Sequence, residues 1–304
     1  MPDSPLPIDP RWPRAAHWIV PAREGVNADL GILGVPAHST SITPTGADKT
    51  PAAVRDALRY YSTYCAGSGI DVASLNAIDL GDVAEPDGPA GEERVRAAVS
   101  SAARRCRMLV VVGGDNSITY PTVLGLAEGA LADIGLITID AHHDLRDGVS
   151  NGSPVRRLVE AGLPGENIVQ IGIADFSNSA AYGERARELG ITVVPRTSLR
   201  GAALALVAGR ALDIVGAGGR RVFVDIDVDV CDRAEVPGCP SAAPGGISAD
   251  ELRQLVLAFA GDPRVVGFDM TEIDATIDAP DGRTVRLAAL LILEAAAGLV
   301  SRSD

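Results

Sequence analysis

An apolar run, residues 134–139, breaks into Asp140, His142 and Asp144 at alternating positions, with His143 beside them. A carboxylate placed directly after a buried strand is costly unless a positive group meets it. Two carboxylates and an imidazole can converge on one cation. Hard oxygen mixed with imidazole nitrogen suits manganese, iron, nickel or zinc better than calcium. The same residue types would also open an N-capped helix with solvated charges. Two of the chain's four histidines fall in this stretch, which favours the metal.

A second acidic run, RVFVDIDVDVCD (221–232), places Asp225, Asp227 and Asp229 at period two, so that all three are expected on one face of a strand with Val224, Ile226 and Val228 opposite. Like charges spaced roughly 7 Å apart repel unless neutralised, which again asks for metal. An EF-hand loop counted from Asp225 fails, because Val230 stands where its glycine belongs and Val236 where its glutamate belongs. A magnesium-phosphate site fails too, since no glycine-rich phosphate loop or lysine accompanies the aspartates. GGDNS (113–117) and GFDMTEID (267–274) add Asn116, Asp269 and Glu272 at two further strand ends. Each acid alone would serve as a cap; four acid-bearing strand ends in one sheet point to one site.

The elements that must hold these residues alternate along the chain. Strands are predicted at 28–36, 75–83, 108–113, 134–140, 167–173, 191–195, 221–230 and 265–274. Helices are predicted over 51–61, over 92–106 with acids in its first turn and arginines in its last, over 199–218, over 248–261 with a cap, and over about 285–300. Apolar runs this continuous mean strands buried on both faces, hence an α/β fold with a mainly parallel sheet between helices. In such sheets the site lies at the carboxyl ends of the strands. Residues 1–27 read as a Pro-rich arm and residues 28–304 as a single catalytic domain.

The formal charge of −13 disfavours partners such as nucleic acid or anionic membrane. Cys65, Cys106, Cys231 and Cys239 have no CxxC spacing and are expected to be reduced thiols of a cytoplasmic protein. No apolar run reaches transmembrane length, and the N-terminus lacks the apolar region of a signal peptide.

GGDNS, DAHHD, DIDVDVCDRAEVPG and DMTEID closely resemble, in order and spacing, motifs of the ureohydrolases, the family of arginase, agmatinase and formimidoylglutamase. GVPAHSTSITPTGADKTPAAVR and DLGDV are similar to its N-terminal part, so the resemblance covers roughly residues 28–300. It implies an arginase-like three-layer α/β/α domain with two Mn²⁺ ions per subunit and a bridging hydroxide that attacks an amidine or guanidine carbon. By position, Asp140 and Asp227 would bridge both ions, Asp144 and Asn116 would complete one shell, and His142 and Asp229 the other. Asp140, His142 and Glu272 are the catalytic residues it implies, with Glu272 holding the cationic amidine. Asp225 occupies the place of a serine and is not counted as a ligand.

Two positions depart from the family pattern. Asn116 replaces a histidine ligand, so that ion is expected to bind more weakly. Asn151 replaces the histidine of HG-x-P, a lack shared with formimidoylglutamases, as are DLRD, IGIADFSNSAAYGERARELGI and DAPDGRTVRLAA. That resemblance implies hydrolysis of N-formimidoyl-L-glutamate to glutamate and formamide in histidine breakdown. Arg146 is the expected grip on a substrate carboxylate, with Asn151, Asn178 and Ser179 as further substrate contacts and Arg156 and Arg157 as structural residues. Two other readings stay open: an agmatinase- or guanidinobutyrase-type enzyme releasing urea, and a non-catalytic arginase-fold protein that only binds a ligand. The family implies homo-oligomers, trimers or hexamers.

Overall fold

The computed structural model describes residues 9–302. Its strands are β1 (Val20–Pro21), β2 (Ala28–Val35), β3 (Tyr64–Cys65), β4 (Ile70–Asp71), β5 (Ala77–Asp82), β6 (Cys106–Gly113), β7 (Ile134–Ile139), β8 (Ile168–Ile173), β9 (Thr192–Pro195), β10 (Arg221–Asp227) and β11 (Val265–Thr271). Its helices are α1 (Ala15–Trp18), α2 (Thr50–Ala57), α3 (Gly88–Ala103), α4 (Thr119–Ala127), α5 (Pro154–Glu160), α6 (Ala180–Glu188), α7 (Leu204–Val215), α8 (Ala249–Ala260) and α9 (Arg283–Val300). Among the described residues one parallel sheet of nine strands runs in the order β1-β5-β2-β6-β11-β10-β7-β8-β9, while β3 and β4 form a small antiparallel pair.

Strand periodicity sends alternate side chains to two separate cores. Val222, Val224 and Ile226 of β10 join Val54, Ala208, Leu255 and Leu291 under α2, α7, α8 and α9. Phe223, between them in sequence, joins Val99, Val123, Val155 and Ala186 under α3, α4, α5 and α6. This is the expected three-layer α/β/α arrangement. Each fully buried Phe223, Phe259 or Phe268 contributes on the order of 2 kcal/mol through the area it removes from water. The sheet order sets β6, β11, β10 and β7 side by side at its centre, so the four acid-bearing strand ends become neighbours.

Several boundaries differ from the sequence reading. α3 starts at Gly88, with Pro in its first turn, so Glu92 and Glu93 lie inside the helix and not at its start. Glu92 serves instead as the bidentate partner of Arg157, at 2.7 and 2.8 Å. The helix predicted over 199–218 shortens to Leu204–Val215, because Gly201 takes a left-handed φ of 67° and breaks it. α8 carries the predicted cap as a full capping box between Ser248 and Glu251. The predicted arm does not stand apart over its described part. Ala15 is buried, the Trp18 indole donates to the Leu75 carbonyl at 2.9 Å, and Val20–Pro21 add an edge strand on β5. Residues 1–8 of it lie outside the described residues. Among the described residues no helix is long and apolar enough to cross a membrane.

Candidate metal centre and active-site cleft

β6 runs into Gly113 and Gly114. A Cβ on Gly114 would lie 1.9 Å from the Ala37 carbonyl oxygen, so only glycine lets this turn pass the loop after β2. The turn then delivers Asn116 at the start of a short 3-10 helix capped by Asp115. After β7, Asp140 accepts the His142 N–H at 2.6 Å and curls the chain into a tight turn.

After β10, Asp227 accepts the Asp229 N–H at 2.8 Å and caps a 3-10 turn, Val228–Val230. The strand therefore stops at Asp227, and the expectation that Asp225, Asp227 and Asp229 line one strand face fails for Asp229. That residue reaches across to the β7 end, accepting the Ala141 N–H at 3.0 Å. β11 likewise stops at Thr271. Glu272 follows in the left-handed region at φ 63°, and Asp144 is left-handed as well at φ 54°. Backbone held this way costs on the order of 1–3 kcal/mol per residue and persists where the surroundings impose it.

Asp140, His142 and Asp229 offer ligand atoms that all lie within 4.8 Å of one another. His142 Nδ1 stands 2.8 Å from Asp229 Oδ2 and 3.5 Å from Asp140 Oδ1. Asp140 Oδ2 is sealed from solvent without a hydrogen bond, and Asp229 Oδ2, equally sealed, has only its ion pair with His142. Close, buried and not aligned on each other is how ligands of one ion stand. Burial, with Asp229 close by, pushes the Asp140 carboxyl up to about 6. Burial and neighbouring carboxylates hold Asp144 and Asp227 well above the usual range. Burial disfavours a charged His142, but Asp229 and Asp140 outweigh it and push the imidazole up to about 12. Burial also opposes ionisation of Asp229, and His142 outweighs it and holds that carboxyl low. In the protein alone, the imidazolium is the positive charge of the group. A divalent cation supplies more charge in the same place, so these residues fit the metal that the motifs imply.

Asn116 joins Asp144 rather than that group. Its Nδ2 donates to Asp144 Oδ2 at 2.5 Å, and its Oδ1 accepts the Thr119 and Thr271 hydroxyls at 2.9 and 3.0 Å. Both hydroxyls can accept as well as donate. A carboxamide turned over would remain hydrogen-bonded and present its oxygen beside Asp144, which suits a second, weaker site. Asp225 and Asp269 lie opposite each other in the β10–β11 register, wholly buried, with Thr119 3.0 Å from Asp269 Oδ2.

These residues open on a cleft of about 380 Å³. His142, Asp144, Asp227, Asp229, Glu272, Arg146, Asn151, Asn178 and Ser179 all line it, while Asn116 and Asp140, each 1% exposed, sit behind. Glu272 Oε1 accepts the Asn116 N–H at 2.8 Å and Asn151 Nδ2 at 2.9 Å, and burial pushes this carboxyl up to about 7. Arg146 is exposed at the rim and forms no ion pair among the described residues; its stem packs on Gly152, where a Cβ would come 2.8 Å from Arg146 Cδ. Ser179 is exposed and caps α6, its hydroxyl accepting the Tyr182 N–H at 3.2 Å.

Asn178, which lines the cleft, also has a structural role. Its carboxamide accepts the His143 N–H at 3.0 Å and donates to the Ala141 carbonyl at 2.9 Å, so both ends shape the turn that carries His142. Arg156 and Arg157 are structural as expected. Arg156 binds the Arg146 carbonyl at 2.6 Å, and Arg157 pairs with Glu92 and stacks on Tyr120.

Sequence reasoning missed Thr119, Thr271, Gln170 and the wall residues Ile42, Thr43 and Ser241. Thr119 stands one helical turn after Asn116, a spacing that carried the signal. Gln170 is a polar residue inside the apolar strand β8. It donates to the His143 carbonyl at 2.9 Å and stands 2.6 Å from His143 Nδ1, which fixes that nitrogen as the protonated one. Nothing local marked the wall residues.

The acidic cluster makes stability depend on pH. Asp140, Asp269 and Glu272 titrate higher in the fold than in the unfolded chain. Each therefore stabilises the metal-free fold below the unfolded value, near pH 4, and the contribution is lost as pH rises through the folded value. The melting temperature of metal-free protein is expected to fall by several degrees between about pH 5 and pH 8, and Mn²⁺ to abolish most of that fall, in scanning fluorimetry. A flat profile without metal would contradict the raised titration that burial imposes on these carboxyls.

A model of the arginase family matches residues 28–298. A formimidoylglutamase of Halalkalibacterium halodurans is 36% identical over 273 residues, which span 87% of this chain and 85% of the relative. The crystal structure of formimidoylglutamase from Bacillus subtilis superposes with a TM-score of 0.92 at 30% identity, covering 100% of this chain and 97% of that one. A Trypanosoma cruzi formiminoglutamase solved with Mn²⁺ shares the fold, with a TM-score of 0.87 at 24% identity over 96% of this chain and 100% of that one.

Proposed function

The chain belongs to the arginase family, and from that membership we propose that it is a manganese-dependent hydrolase of linear amidines, cleaving N-formimidoyl-L-glutamate to L-glutamate and formamide. The observation that carries this reading is the Asp140–His142–Asp229 group, in which two buried carboxylates share one half-buried imidazole and Asp140 Oδ2 has no hydrogen-bond partner. Asp140 and Asp227 would hold the manganese together with Asp144 and Asn116 on one side and His142 and Asp229 on the other. When bound, manganese supplies Lewis acidity that makes water a nucleophile near neutral pH.

The rest is the work of this chain's own residues. Glu272 keeps one carboxylate oxygen on its two donors and turns the other to the amidinium, which fixes the carbon for attack. Arg146 grips a substrate carboxylate through paired N–H donors, and the Ser179 hydroxyl adds a contact at the same rim. Such an enzyme acts in the cytoplasm in histidine breakdown, as a trimer or hexamer.

The test is product identification with Mn²⁺-loaded protein. Formamide and glutamate are expected from N-formimidoyl-L-glutamate, with no urea from arginine, agmatine or guanidinobutyrate. Urea from a guanidino compound alone would move the protein to another activity of the family. Stoichiometric Mn²⁺ binding without turnover of any of them would leave a ligand-binding protein. Arg146→Gln is expected to raise KM for N-formimidoyl-L-glutamate roughly tenfold or more, with manganese content unchanged and kcat little altered. An unchanged KM would mean that the carboxylates are held elsewhere.

A further inference from the structure

Asn151 stands where two loops meet Glu272, and its carboxamide is used at both ends. Nδ2 donates to Glu272 Oε1 at 2.9 Å, Oδ1 accepts the Ile42 N–H at 3.0 Å, and the Asn151 N–H donates to the Thr40 carbonyl at 3.3 Å. These partners leave no choice of amide orientation, because a backbone N–H only donates and a carboxylate accepts. Glu272 Oε1 also takes the Asn116 N–H at 2.8 Å, whereas Oε2 has no hydrogen-bond partner among the described residues. The carboxylate thus has one end held and one end free on the cleft.

The loop carrying Ile42 is tied at a second point. Asp274, two residues beyond Glu272, accepts the Gly46 N–H at 2.7 Å and the Thr45 hydroxyl at 3.3 Å. Residues 40–46 therefore hang from the end of β11 at two places, and Asn151 makes one of them. Ile42 lines the cleft while 53% exposed, so little packing holds this wall apart from those bonds.

We propose that Asn151 is a positioning residue. It acts through Glu272, by keeping Oε2 directed at the bound amidinium, and through Ile42, by latching the cleft wall; it neither contacts substrate nor moves a proton. The inference rests on the amidine-hydrolase reading for its effect on rate, but the latch exists without it.

The experiment compares Mn²⁺-loaded wild type, Asn151→Ala, Asn151→Asp, Glu272→Gln and the double variant Asn151→Ala/Glu272→Gln. Turnover of N-formimidoyl-L-glutamate is read beside hydrogen exchange at the 40–42 amides. Asn151→Ala is expected to lower kcat roughly ten- to hundredfold at unchanged manganese content, and to speed exchange at 40–42. Asn151→Asp keeps an acceptor for the Ile42 N–H but sets a carboxylate against Glu272. Its exchange should stay slow while its rate falls. In the Glu272→Gln background the alanine change should cost less than about threefold, because the residue it acts through is already altered. Fully additive losses would mean direct contact with substrate and overturn the proposal, as would unchanged exchange at 40–42 in Asn151→Ala. If no variant or wild type turns over the substrate, faster exchange still supports the latch and unchanged exchange still refutes it.

Discussion

Asp140→Asn is expected to abolish high-affinity manganese binding and to lower turnover by at least roughly a thousandfold, while the protein stays folded. Asparagine has the shape of aspartate, and its Oδ1 keeps the bond from the His142 N–H that curls the turn. What it removes is charge, at an oxygen that is sealed from solvent and has no hydrogen-bond partner. Burial and Asp229 already hold this carboxyl high, so in metal-free protein the substitution relieves a repulsion. The metal-free melting temperature at pH 8 should therefore hold or rise even as Mn²⁺ binding, followed by calorimetry, disappears. A collapse in stability with metal binding preserved would make Asp140 a structural acid and not a ligand.

Glu272→Gln separates the substrate site from the metals. Manganese content should be unchanged, and kcat/KM should fall roughly a hundred- to a thousandfold, as when one partner of a desolvated ion pair is removed. The amide cannot mend the loss. Two donors, the Asn116 N–H and Asn151 Nδ2, converge on Oε1 and demand an oxygen there. That forces the new NH₂ to face the cationic amidine, donor against donor. Nearly normal kinetics would mean that Glu272 only caps the turn at Asn116, a role its hydrogen bonds would also fill.

Much of this site was legible because chemistry interrupts the apolar pattern. Asp140, His142, Asp227 and Glu272 stand out as polar residues at the ends of runs buried on both faces, and parallel strands bring such ends together. The Ser248–Glu251 capping box was legible for a related reason, since both bonds are local and depend only on spacing. Asp229 was misplaced because one side chain, that of Asp227, ends the strand by capping the next turn, and periodicity cannot see a cap. The turn-shaping bonds of Asn178 were not legible because its two partners, His143 and Ala141, lie 35 and 37 residues away along the chain. The Ile42 wall was invisible for the same reason: its contact with Asn151 spans 109 residues.

The most direct test is a manganese titration of metal-free protein with N-formimidoyl-L-glutamate present, following bound metal and released glutamate together. Glutamate release is expected to be absent without metal and to rise in step with occupancy, with one ion binding more weakly than the other and formamide formed in equal amount. Release that ignores manganese, or full occupancy with neither product, would contradict the assignment of the Asp140–His142–Asp229 group as a catalytic metal site.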